Sequence, residues 1–168
     1  MTPLIKKHRW SCSTAALAMV LDEPEENLFS EIGHDGSKIL DPLMVEPLGR
    51  TGFHIQELID YCLVSGFSAT TYQVVPCSQI GEVEHPIHSN KRTDRFIEFV
   101  QNAEGIIQCM TTSGKFHAVA FSEGTIVDPD SADTFDVNSA CDATSFFTIF
   151  SKQGLYPREL LIVEKMNG

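Results

Sequence analysis

The chain has 168 residues, of which 42% are hydrophobic and 21% charged, and its 23 acidic and 12 basic residues give a formal net charge of −11. A chain of this length buries one hydrophobic core and is short for two, so we expect a single domain over residues 1–168. The acidic balance argues against a nucleic-acid partner, because phosphate contacts need a basic surface. It suits a basic protein partner instead.

The cysteines and the apolar stretches indicate the compartment. The five cysteines are odd in number and form no C-x-x-C pair, which fits neither a disulfide framework nor a zinc site. No stretch is long and apolar enough for a transmembrane helix, so we expect no membrane insertion. Basic residues 6–9 precede an apolar run as in a secretory signal, but acidic residues 22–26 follow directly. We therefore expect a cytoplasmic protein with free thiols.

The first half of the chain has helical periodicity. A helix is predicted over residues 11–21, where Ala, Leu and Met dominate, and a second over residues 25–32, which Gly33 ends. A third runs from Thr51 until Gly66, because apolar residues recur there at helical spacing. The segment between the last two helices has no regular pattern, and long loops of this kind are typically functional.

After Gly66 the pattern changes to short β-rich runs with turn residues between them. One further helix is predicted over residues 93–101. The predicted strands cover residues 69–75, 105–110, 116–121, 125–127, 145–150 and 159–163. The three central strands form an antiparallel meander, and helices followed by an antiparallel sheet indicate the α+β class.

Cys12 stands at the start of the first predicted helix, after Trp10 and Ser11. The unpaired N–H groups and the positive end of the dipole at a helix N-terminus stabilise a thiolate. Most intracellular cysteines are small buried hydrophobes, and we expect this of Cys62, Cys77, Cys109 and Cys141. The position of Cys12 makes it the candidate nucleophile.

His117 and Asp128 are the candidate partners of this thiol. His117 lies on the strand predicted over residues 116–121, on the same face as Val119 and Phe121. Asp128 follows the next strand and can therefore lie beside the imidazole and fix its tautomer. Asp130 is the alternative acid.

Three segments together resemble the papain-like cysteine proteases, and most closely the C39-like peptidases. They are Trp10-Ser11-Cys12 with the apolar helix after it, the strand over residues 116–121, and Ile126-Val127-Asp128-Pro129. The resemblance implies a papain-like fold with a helical N-terminal half, its nucleophile helix packed on an antiparallel sheet. It also implies a triad of Cys12 as nucleophile, His117 as general base and Asp128 as orienting acid.

The resemblance also shows two departures. Relatives usually have Gln about six residues before the nucleophile as an oxyanion donor, and Gly directly before the His, where this chain has Lys6 and Phe116. The side chain of Lys6, Lys7 or His8, or the backbone N–H of Cys12, would then donate to the oxyanion.

The predicted activity is hydrolysis of an amide bond in a protein or peptide substrate, without metal or organic cofactor. His85 and His88 complete no ligand set in the sequence around them. A C39-like cysteine peptidase is the first expectation. The alternatives are a protein glutamine deamidase delivered as an effector, and a noncatalytic papain-like module that binds a basic protein.

Overall fold

A computed structural model describes residues 1–37, 51–74 and 89–166 of the chain. Within these ranges the structure has five helices and six strands and belongs to the α+β class. The helices are α1 (Cys12–Leu21), α2 (Glu25–Ile32), α3 (Ile55–Val64), α4 (Ser89–Asn102) and α5 (Ala143–Lys152). The strands are β1 (Phe67–Gln73), β2 (Glu104–Thr111), β3 (Phe116–Ser122), β4 (Thr125–Val127), β5 (Thr134–Asp136) and β6 (Leu155–Lys165).

The six strands form one antiparallel sheet in the order β1-β6-β2-β3-β4-β5. The meander of β2, β3 and β4 confirms the prediction for the centre of the sheet. The last strand in chain order, β6, lies between β1 and β2 and pairs with both. The register between β2 and β6 shifts after Gln108, which marks a β-bulge.

Helices cover both faces of this sheet. On one face α1 packs against β2 and β3, and α3 packs against β1. On the other face α4 contacts β3 and α5 contacts β6. Alternation along β3 divides its side chains between two cores, with Ala120 in the first and Val119 and Phe121 in the second. The predicted division of the faces of this strand is therefore confirmed for these three residues.

The prediction of a strand over residues 145–150 is wrong, because these residues lie in helix α5. The run is rich in aromatic and β-branched residues, which favours a strand on propensity alone. A capping box overrides this preference: the Asp142 side chain accepts a hydrogen bond from the Ser145 backbone N–H at 2.7 Å. The helix then places Phe146 and Phe150 on one buried face, where their ring centroids are 5.0 Å apart.

The other predicted elements are present with small differences in their ends. Helix α2 and strand β4 have the predicted bounds, and α4 begins at Ser89. Strand β1 begins two residues before its predicted run and ends at Gln73, whereas β6 extends beyond its predicted run at both ends. Cys77, His85, His88 and most of the predicted functional loop lie outside the described residues. No helix in the described ranges is long and apolar enough to cross a membrane.

Candidate active site

Cys12 is the first residue of α1 and is partly exposed. Ser11 precedes it as the N-cap, yet its buried hydroxyl donates to the carbonyl of His8 at 3.1 Å and makes no cap hydrogen bond. The N–H groups of a first helical turn have no partner within the helix, so they favour negative charge near the Cys12 sulfur. The body of α1 is buried from Ser13 to Met19, which fixes the position of this N-terminus.

His117 is the second residue of β3, at the end of that strand nearest to Cys12, and Asp128 follows the last residue of β4. The Nε2 atom of His117 lies 2.8 Å from Oδ1 of Asp128. The same carboxylate oxygen accepts a hydrogen bond from the backbone N–H of Asp130 at 2.8 Å, which holds it in place. With Nε2 directed to Asp128, Nδ1 is the ring nitrogen available to the thiol of Cys12.

The environment of His117 favours the imidazolium. The His117 side chain is only 8% exposed, and burial lowers its pKa. Hydrogen bonds to Asp128 and Cys12, together with the charges of both groups, outweigh burial and raise the pKa of His117 to about 10. Burial raises the pKa of Asp128, but the hydrogen bonds from His117 and the Asp130 backbone outweigh this and hold it below its usual value.

These shifts predict a pH dependence of stability. Between the ordinary histidine pKa of about 6.5 and the folded value, the folded chain binds more protons than the unfolded chain, so the free energy of unfolding falls as pH rises. The His117 contribution is therefore complete below about pH 6.5 and lost as pH rises through about 10. We expect urea unfolding to show a larger stability difference between wild type and His117→Gln at pH 6 than at pH 10. An equal difference at both pH values would contradict the imidazolium assignment.

The N-terminal segment is bound to the loop that contains Asp128 and Asp130. The Lys6 backbone N–H donates to the carbonyl of Pro129 at 2.8 Å, and the Lys6 ammonium forms an ion pair with Asp130. Asp130 in turn lies 3.8 Å from Nδ1 of His117, beyond hydrogen-bond distance. Asp128 therefore holds the imidazole, while Asp130, the predicted alternative acid, is neutralised by Lys6.

Of the side chains predicted as oxyanion donors, Lys6 lies in the cleft around Cys12, whereas Lys7 and His8 do not line it. The Lys6 ammonium also donates to the carbonyl of Arg9 at 3.3 Å, so two partners already engage it. The ring of His8 instead stacks on Trp10 with centroids 5.2 Å apart, and among the described residues it does not line the cleft.

The cleft has two parts that meet at Cys12 and His117. The larger has a volume of about 710 Å³ and extends past Lys6 and Lys115 to the turn before β6. The smaller has a volume of about 370 Å³ and extends along the other side toward Phe53. Both volumes lie within the range typical of small-ligand sites. A peptide bound across both parts would pass over the sulfur of Cys12.

The side chains of His117, Asp128 and Asp130 have donor atoms within 4.8 Å of one another, which is a spacing that a metal ion could bridge. Two of these groups already bind each other, since Asp128 holds His117. The ammonium of Lys6 occupies the cation position beside Asp130. We therefore interpret the cluster as an imidazole–carboxylate pair beside a lysine–carboxylate ion pair, and we assign no metal to it.

The remaining described cysteines differ from Cys12 in their surroundings. Cys62 and Cys109 are fully buried, and burial raises the pKa of Cys62 to about 11 and that of Cys109 further still. The expectation of burial is wrong for Cys141, which is exposed because it lies just before the N-cap of α5 rather than in the core. In the described part of the chain, Cys12 is thus the cysteine that has both an imidazole partner and access to a cleft.

Sequence reasoning missed the side chains that line the cleft beside the triad. Arg9 and Lys115 lie on its rim, and Phe116 is 80% exposed there. Their positions in the sequence could have predicted this, because each residue directly precedes part of the motif around Cys12 or His117. Comparison with the models of known protein families and with the curated proteins finds no match for this chain.

Proposed function

We propose that this protein is a papain-like thiol hydrolase that cleaves an amide bond with Cys12, His117 and Asp128. The observation that carries the proposal is the convergence of three side chains from separate elements. A thiol at a helix N-terminus faces a buried imidazole, whose other nitrogen is held at 2.8 Å by a carboxylate. A nucleophile, a base and an orienting group in this order define nucleophilic catalysis. The α+β arrangement, with α1 packed on the sheet, is compatible with a papain-like fold.

The reaction follows from the positions of the protons. His117 holds the proton of the Cys12 thiol, and the thiolate sulfur attacks the amide carbon to form a C–S bond. The C–N bond then breaks as the imidazolium donates its proton to the leaving nitrogen. Water attacks the resulting thioester, gives its proton to His117, and releases the carboxylic acid and the Cys12 thiolate. Throughout, Asp128 keeps Nε2 of His117 protonated and Nδ1 directed to the sulfur.

The oxyanion of the tetrahedral intermediate needs donors close to the Cys12 sulfur. The backbone N–H of Cys12 stands at the N-terminus of α1, where no side chain of the N-cap residue caps it. Removing one oxyanion donor typically costs about 10²- to 10³-fold in rate. We assign the Cys12 N–H as one donor, with the Lys6 ammonium as the charged group beside it.

Alkylation by iodoacetamide at pH 6, located by mass spectrometry, tests whether the thiol is activated. An ordinary thiol with a pKa of about 8.5 is almost fully protonated at this pH. We expect Cys12 to react faster than exposed Cys141, and His117→Ala to remove this advantage. His54→Asn is the matched control, because Asn keeps the N-cap acceptor that His54 provides to α3. Equal rates at Cys12 and Cys141 in the wild type would contradict the proposal.

A C39-like peptidase is our first choice of reaction, and glutamine deamidation is the second. The two reactions share the same machinery and differ in which carbonyl reaches the sulfur. A peptidase would produce new peptide termini from a peptide library, whereas a deamidase would add about one dalton to intact protein per event. Both products must disappear with Cys12→Ala.

The third candidate is a noncatalytic module that uses its acidic surface to bind a basic protein. The departures at Lys6 and Phe116 favour it, because both replace residues usual in the catalytic relatives. Capture of a basic protein equally by wild type and Cys12→Ala, without turnover of any amide, would support this module over the enzyme.

A further inference from the structure

The cleft around Cys12 has a local charge opposite to that of the whole molecule. The chain carries a formal net charge of −11, yet three of its basic residues line the larger part of the cleft. They are Lys6, Arg9 and Lys115, and the acidic residues that line the same part are Asp128 and Asp130. This reversal of charge lies at the proposed reaction site, so it bears directly on the substrate.

The acidic groups of the cleft are already paired. Asp128 binds His117 at 2.8 Å, and Asp130 forms its ion pair with Lys6. Of the three cations in this part of the cleft, Arg9 and Lys115 take no part in these pairs. In the described ranges neither Arg9 nor Lys115 has a carboxylate within ion-pair distance, and both are exposed.

An aromatic side chain supports the first of these two cations, Arg9. The guanidinium of Arg9 lies over the Trp10 ring at 5.9 Å from its centroid, and the Trp10 Nε1–H donates to the carbonyl of Asp35 at 2.9 Å. Stacking on a fixed ring limits the orientations of the guanidinium but leaves its N–H groups available. Lys115 stands directly before Phe116, the exposed aromatic residue on the same rim.

We propose that the larger part of the cleft binds acidic side chains of a polypeptide substrate through Arg9 and Lys115. This inference rests on the proposed function and names its substrate class. A guanidinium and an ammonium together recognise a carboxylate by charge-assisted hydrogen bonds. The acidic surface elsewhere repels such a substrate only weakly at physiological salt, because charges more than about 8 Å away are screened.

The test compares two alkylating reagents of similar size, anionic iodoacetate and neutral iodoacetamide, on the full chain. The measured quantity is the ratio of their rates at Cys12, with Cys141 as the internal reference. The His117 imidazolium also attracts an anion, so the ratio in the wild type alone does not decide. We expect the double variant Arg9→Gln/Lys115→Gln to lower the ratio at Cys12 about fivefold, as two partly solvated charges nearby would.

The matched control is Lys91→Gln/Lys152→Gln, which changes the net charge equally at two exposed residues that do not line the cleft. This control should leave the ratio unchanged. A second readout is protection of Cys12 from iodoacetamide by a hexapeptide of Glu with blocked ends, against the same peptide of Gln. We expect protection by the Glu peptide alone, and its loss in the Arg9→Gln/Lys115→Gln variant.

The outcomes separate this inference from the proposed function. If Cys12 reacts rapidly and depends on His117, but the double variant changes neither readout, the acidic-substrate inference is overturned and the hydrolase proposal stands. If the control lowers the ratio as much as the cleft variant, net charge explains the effect and the inference is also overturned. If Cys12 reacts with neither reagent, both proposals fall.

Discussion

The variants Cys12→Ala and His117→Ala, and the variant that combines them, should all lose amide hydrolysis to nearly the same extent, on the order of 10⁴-fold or more. In the proposed mechanism, sulfur and imidazole act as one unit: without the base the thiol is not activated, and without the sulfur the base has no proton to move. The second substitution therefore removes nothing that the first has left. The measurement is the release of new termini or ammonia from a peptide library, followed by mass spectrometry.

Additive losses in the double variant would mean that the two side chains act independently, which the geometry does not allow. Asp128→Asn provides the graded comparison, because Asn keeps an acceptor oxygen near Nε2 but carries no charge to stabilise the imidazolium. We expect its activity to lie between those of wild type and His117→Ala. Circular dichroism spectra of the variants should match the wild type, since these side chains lie at the ends of their elements.

The Phe146→Ala variant should lower the free energy of unfolding by about 3 to 5 kcal/mol, which is the usual cost of deleting a buried aromatic ring. Phe146 is fully buried, and its ring contacts those of Phe96, Phe147 and Phe150. This cluster holds α4 and α5 together on the face of the sheet opposite α1. Urea unfolding followed by circular dichroism measures the loss.

Phe147→Ala is the control, because it deletes the same atoms one residue along the same helix. Phe147 is only partly buried against the core, so its loss should cost less than that of Phe146. Equal losses at the two positions would contradict the orientation of α5 described above. The pair therefore tests which face of α5 packs against the sheet.

The elements that carry the candidate triad were predictable because local signals agree there. Good helix formers follow Cys12, and a regular alternation surrounds His117, so periodicity alone places both residues at the ends of their elements. Asp128 follows a three-residue strand separated from β3 by a tight turn, and such a turn leaves few possible registers. Short-range sequence patterns were therefore sufficient to predict that His117 and Asp128 lie together, and in the structure their side chains are 2.8 Å apart.

The features that were not predicted have two kinds of cause. Some depend on contacts between residues far apart in the chain, and one depends on two local sequence signals that favour different secondary structures. For α5, the capping residues Asp142 and Ser145 outweigh the strand preference of the aromatic run that follows. The ion pair between Lys6 and Asp130 joins residues far apart in the chain, and no local pattern predicts it. The position of β6 between β1 and β2 is likewise a long-range pairing.

The position of β6 also limits when the sheet can be completed during synthesis, because this last strand of the chain lies between β1 and β2. Strands β1 and β2 are synthesised long before β6, and in the finished sheet they do not pair with each other. Until residues 155–165 leave the ribosome, β1 has no strand partner in this sheet and one side of β2 has unpaired N–H and C=O groups, the kind of surface that recruits other chains. We therefore expect a chain interrupted before β6 to be prone to aggregate.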